Sequence, residues 1–187
     1  MRRVLSFALL FLAAITSNAL AQPRALGHDV RWDLVQIIQG TVLAGGTDVG
    51  RDGTTGDTIS LTGSGDAEPA EGNAGGGGTF VHRHANGTEV AHGVYVVTGF
   101  LSWDPAGGTL EGTGLTDGVG HIEEESSGIL TLVVRLFPSG GGHADAVFGV
   151  NCNLPGATES ITEGITLAVG NLRFVQNGGP TLLHVQK

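Results

Sequence analysis

Residues Thr79–Trp103, TFVHRHANGTEVAHGVYVVTGFLSW, set two runs rich in β-branched and aromatic residues on either side of Asn86-Gly87. An Asn-Gly pair between such runs signals a two-residue hairpin turn, which needs positive φ at both central positions. With Asn86-Gly87 as the turn, Ala85 pairs with Thr88, His84 with Glu89, Arg83 with Val90 and His82 with Ala91. Strand alternation then places His82, His84 and Glu89 on one side with Phe80 and Tyr95, and Arg83 and His92 on the other.

Outward from this hairpin the same pattern repeats. Thr58–Thr62, Gly128–Phe137, Ala144–Leu154, Ile161–Val169, Leu172–Gln176 and Thr181–Val185 are short β-branched or aromatic runs between Gly-rich breaks. Val30–Gln39 suits a strand or a turn or two of helix equally well. Eight or nine strands of this kind predict an all-β fold, a single antiparallel jelly-roll-like sandwich or barrel with Gly-rich loops. Residues 44–57 and 64–78 are rich in Gly and Asp and poor in large apolar residues, so they are expected to be mobile, solvated loops. Neither flank of these loops is long enough to bury a separate core, which leaves one domain over residues 22–187.

Composition agrees with a folded chain. Of 187 residues 40% are hydrophobic and 14% charged, a balance that buries a core rather than remaining disordered. The 33 Gly follow no three-residue period and Pro numbers only 6, which excludes a collagen-like chain, and one Cys cannot form an internal disulfide. Residues 1–21 read as a signal peptide: Arg2 and Arg3, an apolar stretch from Val4 to Ile15, then Ala19-Leu20-Ala21 as a small-x-small cleavage site. That stretch is too short to span a bilayer as a helix, so the expected product is exported, periplasmic or extracellular, with no membrane anchor. Beyond residue 21 the chain carries 7 basic and 18 acidic residues, and Lys187 is its only lysine. No basic run exists to track phosphates, which argues against nucleic-acid and anionic-lipid partners.

Chemistry concentrates at the hairpin. Two imidazoles at i and i+2 with a carboxylate across the ladder give three ligands spaced for a divalent transition metal with open positions. Gly76-x5-His82-x-His84-x4-Glu89 resembles the first motif of the cupins, and Pro138-Ser139-Gly140-Gly141-Gly142-His143 has the P-x-G-x-x-H spacing of the second. The cupin resemblance implies a jelly roll with one metal, Fe, Mn, Cu, Ni or Zn, held by His82, His84, Glu89 and His143. It departs from the motifs at Val96 and Leu132, where Gly belongs, and at Val147, where Asn belongs. From GGGTFVHR through GILTLVV, CNLPG and EGITLAVGNLRF the chain is also similar in style to a group of secreted bacterial β-proteins, a likeness that implies no chemistry.

Other candidates are weaker. Asp48-x3-Asp52-Gly53 opens like a calcium loop, but Gly50 and Ile59 stand where oxygen ligands belong, so an acidic loop is expected. Glu123-Glu124-Glu125 reads as a solvated turn, and Cys152 as a buried thiol with no basic neighbour to activate it. His28, His92, His121 and His184 have no partner at ligand spacing. Trp103 and Asp104 suit core packing or a pocket mouth. No G-x-S-x-G, H-E-x-x-H, P-loop or dinucleotide motif occurs. Two functions stay open: an exported module that binds a small molecule or extracellular partner, or a cupin-like metalloprotein.

Overall fold

The computed structural model describes residues 28–186, so the leader read at residues 1–21 lies outside the described part. Within it the chain is β-structure broken by one 3₁₀ turn, η1 (Ile122–Glu124). Eight strands close a ring: β3 (Asp48–Asp52), β4 (Thr58–Leu61), β6 (Asn73–Arg83), β7 (Glu89–Gly107), β9 (Ser127–Pro138), β10 (Ala144–Cys152), β11 (Gly164–Val169) and β12 (Leu172–Gly178). Every pairing around the ring is antiparallel, and the strands follow one another in chain order until β12 returns to β3. The expected antiparallel barrel is therefore of the up-and-down kind, without the Greek-key crossings that a jelly roll uses.

Five further strands lie outside the ring. β5 (Ser64–Glu68) pairs the first half of β6, and β1 (Val30–Ile38) joins β5 to β13 (Thr181–Val185). The far half of β1 forms a hairpin with β2 (Thr41–Ala44) through Gln39-Gly40, both at positive φ (50° and 80°), as a two-residue turn demands. β8 (Thr116–Asp117) adds to β2 in parallel.

Alternation fills the barrel. Leu130, Leu132, Val134 and Leu136 of β9 point inward, as do Phe148 and Val150 of β10 and Ile165 and Leu167 of β11. Trp32 of β1 seals the packing, edge-on to Phe148 at 5.8 Å, and Phe148 in turn meets Tyr95 at 5.7 Å.

The two segments expected to be mobile loops are instead partly strand. Residues 44–57 contain β3, and residues 64–78 contain β5 and the start of β6. Their composition hid this for identifiable reasons. The inward positions of β3 are Asp48, Gly50 and Asp52 rather than aliphatic residues. Along β5 and β6 the indole of Trp32 lies against bare backbone: a Cβ on Gly65 would stand 2.8 Å from its Nε1, and one on Gly76 3.0 Å from its Cζ2. Glycine there makes room for a tryptophan.

Candidate functional site

The hairpin tip differs from the sequence expectation by one residue. Gln39 is the only non-glycine at positive φ among the described residues, so Asn86 is not, and the two-residue turn cannot form. Instead Ala85-Asn86-Gly87 makes a three-residue loop: the Gly87 N–H donates to His84 O, and the His84 N–H donates to Thr88 O, each at 2.8 Å. Gly87 takes the positive φ, 85°, that ends such a loop. Arg83 therefore faces Glu89, and a bulge at Val90 restores the expected pairing of His82 with Ala91.

That shift moves Glu89 to the other face. Its carboxylate accepts from Arg83 Nη2 at 3.2 Å and meets His92 Nδ1 at 2.7 Å. His82 and His84 find a different acid, Asp57, whose Oδ2 lies 3.1 Å from His82 Nε2 and 3.2 Å from His84 Nδ1. Asp57 is delivered by the pairing of β4 with β6, in which Thr58 faces Arg83 and Ile59 faces His82. Burial pushes the Asp57 carboxyl up, and the hydrogen bonds to His84 and His82 more than offset it, leaving its pKa below the ordinary value. His82 also packs edge-on to Phe174 at 5.5 Å, whereas the His84 side chain is half-exposed.

His143 is elsewhere. It sits exposed on the β9–β10 turn, 6.3 Å from the ring of Phe137, which points outward from β9. The four-ligand set implied by the cupin resemblance thus does not converge: Glu89 pairs Arg83 and His92, and His143 lies on the β9–β10 turn. Among the described residues no group of three or more His, Cys, Asp or Glu side chains is placed to hold a metal ion.

A second region carries more structure than the sequence suggested. Residues 108–126, between β7 and β9, fold over the outer face of β1 and β13 and are tied down by buried polar contacts. Asp117 Oδ2 meets His184 Nε2 at 2.8 Å with both side chains almost fully buried, and Asp117 Oδ1 accepts the Val119 and Gly120 amides. Arg31, itself paired with buried Asp33, donates to Val119 O at 3.0 Å. Glu125, expected in a solvated turn, is buried and accepts from Leu110 N and Thr109 Oγ1. His184 and Glu125 escaped the sequence because their partners lie 67 and 15 residues away and are brought close only by the fold.

Under this cover lies a cavity of about 190 Å³. Val35, Ile37 and Val42 of the β1–β2 hairpin, Leu110 and Leu115 of the cover, and Leu154 and Leu182 line it. Asn153, Thr181 and Glu163 form its polar side. Glu163 is fixed: Oε1 accepts Thr181 N at 2.6 Å and Thr181 Oγ1 at 2.9 Å, and Oε2 accepts Asn153 N. Burial pushes the Glu163 carboxyl up, only partly countered by these hydrogen bonds. An aliphatic hollow with one oriented carboxylate selects by shape and by a single polar contact.

No family model, curated protein or solved structure matches the chain.

Proposed function

We propose that the protein is an exported binding module that takes a small apolar molecule into the cavity beneath residues 108–126. The observation that carries this reading is the cavity itself, seven aliphatic side chains and one oriented carboxylate under a cover held by polar anchors. Apolar cavities of about 150 Å³ take up benzene, so the ligand class is a ring or short chain of that size. Glu163 favours an amine or hydroxyl group over a carboxylate at the polar end. Export rests on the leader read at residues 1–21.

Calorimetric melting with toluene, cyclohexanol, hexylamine and hexanoate tests it. The first three are expected to raise the melting temperature, hexylamine most and hexanoate least, since a ligand of the native state stabilises by mass action. Leu115→Trp fills the hollow and is expected to abolish the rise while the protein still melts cooperatively. The reading fails if no probe shifts the wild type, or if Leu115→Trp responds as the wild type does.

A further inference from the structure

The outer wall of β9–β12 holds a groove separate from the cavity. Its floor is Asn151 of β10, flanked across the strands by Ile129 and Gly164. The space over Gly149, two residues before Asn151 on the same face, is taken by the Thr166 side chain and that over Gly164 by Gln176, and both side chains border the groove. Thr166 and Val175 close one side and residues 160–162 the other, enclosing a volume of about 470 Å³ with no charged residue in its lining. Ile129 and Val175, 38% and 55% exposed, are aliphatic surfaces with nothing over them among the described residues.

Asn151 is the residue lining this groove whose buried polar atom lacks a partner. It is 8% exposed, and its Oδ1 is buried without a hydrogen-bond partner. A buried side-chain acceptor without a partner is uncommon in a native fold, and here it belongs to a residue that lines the groove. Ile129 and Ile161 also line a second hollow of about 380 Å³, walled by Asp104, Pro105 and Glu159. The two hollows lie side by side across Ile129 and Ile161, with carboxamides (Asn151, Gln176) in the lining of one and two acids (Asp104, Glu159) in the lining of the other.

We propose that these two neighbouring hollows together bind an extended peptide segment, its backbone amide on Asn151 and a Lys or Arg side chain between Asp104 and Glu159. A side-chain amide pairs donor and acceptor with a peptide group, and acids attract a cation on a chain whose surface is already acidic. A neutral sugar would use the first hollow and ignore the second.

Selection from a bead library of capped hexapeptides against the full chain tests the assignment. Peptides with a basic residue two or three positions from an aliphatic one are expected to be enriched, with Asn151→Leu and Glu159→Lys each weakening the best binder at least tenfold. Asn151→Leu is nearly isosteric and removes the unmet acceptor, so its melting temperature should not fall, and Leu115→Trp should leave binding unchanged. No enrichment over Asn151→Leu, enrichment without a basic residue, or capture of cellobiose instead of peptide each overturns the proposal. Failure here leaves the covered cavity untouched, because the two sites share no residue.

Discussion

Asp48 opens β3 fully buried, its Oδ1 accepting the Val49 N–H at 2.7 Å and its Oδ2 without a partner. Burial pushes this carboxyl up to about 7; the Val49 amide pulls it back in part, and the charge of Glu163 adds to the rise. The folded state therefore holds a proton that the unfolded chain releases near pH 4. Stability contributed at Asp48 is complete below pH 4 and falls as pH rises toward 7, by on the order of a few kcal/mol. Asp48→Asn keeps the acceptor for Val49 and cannot ionise. Urea unfolding at pH 4.5, 6 and 8 should find the variant close to wild type at the lowest pH and more stable by a few kcal/mol at the highest. Parallel curves across that range would show that Asp48 is ionised in the fold. Residue-scale readings of this kind were partly open to the sequence. His82 and His84 were recognisable as a pair, but their acid was not, because Asp57 precedes them by about 25 residues and reaches them only through β4–β6 pairing.

At the scale of elements, strands with apolar inward positions announced themselves, and β7, β9, β10 and β13 lie close to where alternation put them. β3 and β5 did not, since their inward positions carry Asp, Gly or Ala and so lack the contrast on which alternation depends. The hairpin register failed for a narrower reason. Asn-Gly fits both a two-residue turn and the end of a three-residue loop, and the choice between them moves Glu89 to the opposite face. Glycines can separate backbone from packing effects here. A Cβ at Gly87 meets nothing within 4 Å, so Gly87→Ala costs only the positive φ, about 1 kcal/mol. Gly76 is also at positive φ, 120°, but a Cβ there runs into Ser64 O, Gly65 Cα and the Trp32 ring. Gly76→Ala should lose more, on the order of 2–4 kcal/mol once the overpacking is added. Thermal melts that rank Gly87→Ala as the worse variant would contradict Trp32 seated over β6.

The barrel as a whole is completed by its most distant pairing, in which Phe174 of β12 faces Asp52 of β3. Hairpins around the ring form from neighbours in sequence, whereas this seam must bring the first and last strands of the ring together, a loop closure that topology makes slow. Asp52 holds the seam with one carboxylate. Its Oδ2 accepts Arg173 N from β12 at 2.7 Å, while Oδ1 accepts Thr54 N, Thr55 N and Thr55 Oγ1 from the β3–β4 turn. These bonds, the one from Arg173 foremost, hold its pKa down to about 2. A depressed carboxylate contributes stability that is present above its unfolded pKa near 4 and lost as pH falls through 2. Asp52→Asn removes that charge, so it should be less stable than wild type at pH 6, with the gap closing by pH 2. In the same variant the Arg173 amide should exchange with solvent faster than the amides of β9, because the seam opens before the ladder at the centre of the ring. Equal loss at both pH values, together with unchanged exchange at Arg173, would place closure of the barrel in its packing and leave Asp52 a local turn residue.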